Sequence, residues 1–310
     1  MNRLWAITSY FNPADYARRR SAYRMFRQSL TIPLLTVEHA SEDRRELGEG
    51  DADILIQVAG GDTMWQKERL LNLALDALPS ECDTVAWLDC DVVFAEPPWT
   101  GKLDSALAEA PLVQLFRRVH YLGPDWSPGI PPENSIERSR PSIASGVCEQ
   151  LPARVALQHP SKHQRPGTYA NGMAWAARRE FIDKYRFFDA CIMGGGDRAV
   201  TSAAYGCFQH IFEWHEMNPA QQSYYLEWAR PMYAACRGQV GLVDGNIYHQ
   251  WHGKAADRGL SSRHNGLRAF NFDPYTDIAI DSQGCWRWNS DKPCMHRYFE
   301  EYFTSRREDG

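Results

Sequence analysis

The sequence predicts an α/β protein: one domain on an open, mostly parallel β-sheet flanked by helices, with a proline-rich loop or lid region. Three observations predict it. Through residues 4–94, short apolar runs of strand length alternate with stretches of helical period. Polar residues follow the ends of those runs, where open α/β sheets bind ligands. The chain has 310 residues, enough to bury a full core as one domain or two closely packed lobes.

The elements follow in order. Leu4–Thr8 reads as a first buried strand, closed by the polar loop Ser9-Tyr10-Phe11-Asn12-Pro13. Residues 14–29 read as a helix, Pro33–Val37 as a second strand and Asp53–Val58 as a third. Gly60-Gly61-Asp62 is a turn. From Thr63 to Leu78, apolar residues at 64, 65, 70, 71, 74, 75 and 78 give helical spacing. Val85–Leu88 is a strand running into Asp89-Cys90-Asp91, followed by Val92-Val93-Phe94, and Pro97-Pro98 break the chain. Between 123 and 168, proline recurs at 124, 128, 131, 132, 141, 152, 160 and 166, which predicts a long loop or lid. Tyr169–Ala177 is strand-like, with a helix through Lys184. Gly194-Gly195-Gly196-Asp197 opens another helix, and Val240–His252 is a strand ending in two histidines. No repeat or low-complexity tract occurs.

Composition narrows the function classes. Hydrophobic residues are 44% and charged residues 24%, as in soluble globular proteins. A formal net charge of -5 gives no global positive field toward nucleic acid or anionic lipid. The local clusters Arg18-Arg19-Arg20, Arg117-Arg118 and Arg178-Arg179 read as solvated faces. Eleven tryptophans offer flat faces of the kind sugar sites use, although core packing also consumes them. Eight cysteines without a Cys-x-x-Cys pair exclude an ordinary structural zinc site and predict reduced thiols. The N-terminal apolar stretch is too short for a signal peptide, and no run approaches the roughly 18–20 apolar residues that span a bilayer. The expected location is the cytoplasm.

Four constellations carry chemistry. Asp89 and Asp91 stand two apart in an extended segment, so both carboxylates can face one cleft and hold Mg²⁺ or Mn²⁺ beside a diphosphate. The plainer reading is a polar turn. His249 and His252, at a strand end, can reach one ion, and imidazole with carboxylate favours Mn²⁺. Gly194-Gly195-Gly196 lets backbone approach a ligand, and the helix that follows offers amide donors. Asp197 is there either a general base or a helix N-cap. Trp65 and Lys67, at a helix start, could stack a base and meet phosphate charge, or simply fill an amphipathic helix.

Taken in order, these segments resemble the β-1,4-galactosyltransferase family, inverting enzymes of the Rossmann-like GT-A fold. The likeness begins at Ile56-Gln57-Val58-Ala59-Gly60-Gly61-Asp62-Thr63-Met64-Trp65-Gln66-Lys67-Glu68-Arg69-Leu70-Leu71-Asn72, then runs through Asp89-Cys90-Asp91, Tyr169-Ala170-Asn171-Gly172-Met173-Ala174, Met193-Gly194-Gly195-Gly196-Asp197 and the histidine pair. The resemblance implies that Trp65 packs on the uracil of a UDP-sugar and that Lys67 stands near its phosphates. Asp91, His249 and His252 become ligands of Mn²⁺, or Mg²⁺, with Asp89 supporting the nucleotide. Thr8, Tyr10, Tyr169 and Gly172 are expected donor contacts. Gly195, Gly196 and Asp197 are expected to meet the acceptor, with Asp197 as the base. Residues 1–122 would then bind nucleotide and 169–310 would carry the acceptor and the chemistry.

The family has Glu where Gly196 stands, so an acceptor other than terminal N-acetylglucosamine is expected: another glycan, a lipid-linked sugar or a modified nucleobase in DNA. Two other classes fit the same motifs. A nucleotide-sugar- or carbohydrate-binding protein without activity would need no base, and a metal-dependent phosphohydrolase also uses paired Asp and His.

Overall fold

The computed structural model describes residues 3–40, 42–96, 99–127, 129–157, 169–254, 256–259 and 262–310. Its central sheet has seven strands. These are β1 (Leu4–Phe11), β2 (Leu34–His39), β3 (Ile54–Val58), β4 (Thr84–Leu88), β6 (Leu112–Gln114), β9 (Ala174–Arg178) and β10 (Val240–Leu242), in the order β10-β6-β9-β4-β1-β2-β3. All run parallel except β9, which is antiparallel to both its neighbours. A four-stranded sheet, β5 (Val92–Phe94), β11 (Asn246–His249), β7 (Arg118–Leu122) and β8 (Ile136–Pro141) in that order, abuts it. The expected mostly parallel sheet flanked by helices is therefore present.

The central strands are apolar on both faces because both faces are covered. Side chains of a strand alternate. Ile7, Val85 and Trp87 enter one core with Leu70, Leu71, Ala74 and Leu75 of the helix Lys67–Asp76. Ala6, Ala86 and Leu88 enter the other with Phe26 of the helix Ala17–Ser29, and with Leu103 and Leu107 of the helix Thr100–Glu109.

Five expectations need correction. β1 runs on through Phe11, so Ser9, Tyr10 and Phe11 are strand rather than polar loop, because they pair with Val37, Glu38 and His39 of β2. The strand foreseen over Tyr169–Ala177 begins only at Ala174. The strand foreseen over Val240–His252 is two strands in two sheets, broken at Val243–Gly245 where the chain crosses between them. The helix foreseen from Thr63 begins at Lys67, because Trp65 N bonds instead to Ile192 O at 2.7 Å and residues 63–66 stay irregular. The proline-rich stretch is not one long loop. It contains β8, which pairs with β7, and short helices at Ile143–Cys148 and Ala153–Ala156. Pro141 closes β8 and Pro152 caps the second of those helices. Residues 158–168 of the foreseen lid lie outside the described residues.

Candidate metal centre and nucleotide cleft

Parallel pairing of β1 with β4 brings the ends of both strands to one edge of the sheet. Thr8 is buried there and donates from Oγ1 to Leu88 O at 2.7 Å, tying the two strand ends together. The chain then passes through Asp89-Cys90-Asp91 into β5. Antiparallel pairing sets His249 of β11 opposite Val92, and Gln250 N donates to Asp91 O at 2.9 Å. Two distant motifs thus share one corner.

At that corner, ligand atoms of Asp91, His249 and His252 all lie within 4.8 Å of one another. Asp91 Oδ2 is 3.7 Å from His249 Nε2 and 3.6 Å from His252 Nε2. Among the described residues, Asp91 Oδ1 is buried with no hydrogen-bond partner, a costly state unless a cation meets it. Burial, reinforced by Arg258, lowers His249 to about 3 and His252 to about 4, so both rings stay neutral near pH 7, the form that ligates metal. One carboxylate and two neutral imidazoles fit a divalent transition ion. Arg258 Nη1 donates to His252 Nε2 at 2.7 Å and would have to yield that nitrogen.

Asp89 faces a different partner. Its Oδ1 lies 2.5 Å from Lys67 Nζ, and the same ammonium reaches Asp197 Oδ1 at 3.1 Å and Oδ2 at 3.2 Å. Burial raises the Asp89 carboxyl and Lys67 opposes it. Burial also works against the Lys67 charge, but Asp197, Asp89 and Glu68 more than offset it, so Lys67 remains protonated. The lysine expected near phosphate is therefore shared between two carboxylates of the protein.

Asp197 is not an N-cap. Gly195, left-handed at φ 94°, caps the helix Gly196–Ala204, and Asp197 lies in its first turn facing Lys67. Two glycines make that position possible. A Cβ on Gly172 would collide with the Asp197 carboxylate, and a Cβ on Gly196 with the Glu68 carboxyl. Asn72 steadies the approach from behind, accepting from Phe187 N at 2.9 Å and donating to Asp189 Oδ2 at 3.0 Å.

The cleft is about 240 Å³ and is lined by Thr8, Trp65, Lys67, Asp89, Asp91, Gly195, Asp197, His249 and His252. Trp65 stacks on Phe303 at 6.3 Å between ring centroids, with Arg306 5.2 Å and Arg263 5.7 Å from its ring, and its buried Nε1 has no partner among the described residues. Two expected donor contacts point elsewhere. Tyr10 is buried against Tyr23 and donates to Glu46 at 2.6 Å, and Tyr169 packs on Gly146. Gly172 and Gly196 serve the site through the room they leave rather than by lining it.

Sequence reading missed Arg19, Arg258, Arg263, Phe303 and Arg306 on the cleft wall, and Glu308 behind it. Arg19 had been grouped with a solvated face. In fact it donates to Phe11 O at 2.8 Å and forms a two-pronged pair with Glu308. Glu308 lies well below the usual carboxylate range: burial would raise it, but Arg19, His252 and Arg306 prevail. The spacing of Arg258 and Arg263 after His252 was the available signal. Elsewhere Arg117 pairs with Asp244 and Glu149, Arg178 with Asp104 and Arg179 with Asp183. No helix among the described residues is long and apolar enough to cross a membrane.

No family model and no curated protein matches this chain. Among solved structures it is similar to S. aureus TarS 1–349 in complex with UDP, at 10% identity and TM-score 0.39 over 97% of this chain and 70% of that one. It is similar to the catalytic domain of Drosophila β1,4-galactosyltransferase 7 in complex with xylobiose, at 10% identity and TM-score 0.36 over 96% and 99%. It is also similar to 4-diphosphocytidyl-2C-methyl-D-erythritol synthase from Anaerococcus prevotii, at 14% identity and TM-score 0.35 over 79% and 87%. Likeness at this level assigns no role to any residue here.

Proposed function

We propose that this protein is a metal-dependent glycosyltransferase of GT-A type, moving a sugar from a UDP-sugar to a hydroxyl acceptor with inversion. The observation that carries the reading is one cleft holding Asp91, His249 and His252 around an unpartnered carboxylate oxygen, with Asp197 on the same wall. Those three residues would hold Mn²⁺, with Mg²⁺ a poorer fit, and the ion would supply positive charge to the leaving diphosphate.

The protein's own groups do the rest. Trp65 offers its ring to the base, and Arg258, Arg263 and Arg306 bring guanidinium donors suited to phosphate oxygens. Lys67 orients Asp197, which takes the acceptor's hydroxyl proton while that oxygen attacks the anomeric carbon. The acceptor C–O bond forms, the bond to the diphosphate oxygen breaks, and that oxygen keeps the electron pair.

Gly196 leaves no side chain to hydrogen-bond acceptor hydroxyls, so the acceptor differs from terminal N-acetylglucosamine. A glycan, a lipid-linked sugar and a modified nucleobase in DNA are the acceptor classes, met in the cytoplasm. The paired state of Arg117, Arg178 and Arg179 weighs against DNA.

Product analysis with UDP-sugars, Mn²⁺ and an acceptor panel tests the reading. A new glycoside supports it. Free sugar alone would make the protein a hydrolase, and binding without turnover a receptor.

A further inference from the structure

The segment Arg306–Asp309 lies far along the chain from every motif, yet it packs directly behind the metal corner. Glu308 is fully buried, an expensive place for a carboxylate unless it is paired. It has two partners: Arg19 through Nε at 2.5 Å and Nη2 at 2.8 Å, and Arg306 through Nε at 2.5 Å. Its Oε1 then faces His252 Nδ1 at 3.9 Å, an electrostatic contact rather than a formed hydrogen bond.

Arg258 Nη1 straddles the ring nitrogens, 2.7 Å from Nε2 and 3.5 Å from Nδ1, so it does not choose between the tautomers. The choice falls to Glu308: its carboxylate can only accept, and it faces Nδ1, which favours the hydrogen there and leaves Nε2 bare. The same Nε2 faces Asp91.

The backbone is fastened to keep this arrangement. Asp309 accepts from Ala17 N at 3.0 Å and Arg18 N at 2.9 Å, closing the start of the helix Ala17–Ser29. Tyr16 Oη accepts from Arg307 N at 3.0 Å. Gly253, next to His252, has φ +90°, and a Cβ there would sit 3.0 Å from Arg306 O and 3.1 Å from Glu308 Cα. Only glycine lets the segment approach so closely.

We infer that Glu308 is a positioning residue for the metal centre: it holds His252 with Nδ1–H turned inward and the Nε2 lone pair presented beside Asp91. This rests on the metal reading above. Groups behind a ligating histidine commonly change metal affinity about 10–100-fold when removed.

The experiment measures Mn²⁺ affinity of the full chain by calorimetry, for wild type, Glu308→Gln and Asp309→Asn. The last alters the same segment without facing His252. The expectation is a ten- to hundredfold weaker Kd for Glu308→Gln and a Kd within about twofold of wild type for Asp309→Asn. Equal loss in both variants makes the segment merely structural, and no loss in Glu308→Gln overturns the proposal while leaving the metal reading intact. Wild type that binds no Mn²⁺ removes both. Should Glu308→Gln fail to fold, ¹⁵N shifts of His252 in unaltered, chelator-treated protein decide: an Nδ1–H ring supports the inference and an Nε2–H ring overturns it.

Discussion

Asp89 and Asp91 are two residues apart at the end of one strand, yet they face opposite electrostatic situations. Asp89 meets a cation of the protein itself, the Lys67 ammonium, which it shares with Asp197. Asp91 meets two neutral imidazoles and keeps one buried oxygen unpartnered. The difference teaches where the fold supplies a cation of its own and where it leaves a carboxylate oxygen for one from outside. The first corner is set to orient a carboxylate, and the second to ligate.

The sharpest break in that comparison is removal of the outside cation. Chelation, or Asp91→Ala, should reduce sugar transfer below detection, and chelated wild type should recover best with Mn²⁺. Transfer that persists in chelator would show Asp91 to be as self-contained as Asp89.

At the Lys67 corner, Asp197→Asn should lower kcat by about 10²–10⁴-fold while Mn²⁺ and donor still bind. Gly172→Ala should act in the same direction, since its methyl meets the Asp197 carboxylate. Single-turnover rates with binding measured in parallel check both. An unfolded variant whose folded fraction turns over normally would reduce Asp197 to a structural residue.

Between the corners, Trp65→Ala should weaken UDP binding by roughly 1–3 kcal/mol if the ring carries the base. Its existing stack on Phe303 makes this a real contest, because a ring already covered has less face to offer. Titration of UDP by calorimetry decides it, and unchanged affinity moves the base elsewhere.

The last contrast is read in pH rather than in rate or affinity, and concerns Glu68, beside Gly196. Burial lifts its carboxyl from about 4.5 to about 8. Between those values the folded state holds a proton that the unfolded chain has released, so stability declines as pH rises through the window. Glu68→Gln removes that titration and should flatten the decline in Tm from pH 4.5 to pH 8. Melting curves of both proteins at several pH values test it, and parallel curves would mean Glu68 is already ionised in the fold.

Much of the frame was legible in advance. Strands at 4–8 and 85–88 were readable because the inner strands of the sheet are apolar where they are buried, and 53–58 because apolar residues also dominate this half-buried edge strand. Asp91, His249, His252, Lys67 and Asp197 were legible as chemistry-bearing types beside turns, and the cleft collects all five. Tyr10 and Tyr169 lie off the cleft lining, because a sequence position near a site says nothing about which way a ring turns.

By itself, then, the sequence determined the alternation of elements, the two-residue step between the carboxylates, and the glycines where backbone and carboxylates crowd. Tertiary structure alone decided the partners. It gave Lys67 to Asp197 across 130 residues and Arg19 to Glu308 across 289, and it split one expected strand so that His249 could stand beside Asp91. The physical reason is that burial leaves a local, periodic trace in a sequence. A charge pair leaves none, because any distant residue of opposite sign can satisfy it and only the folded path selects which one does.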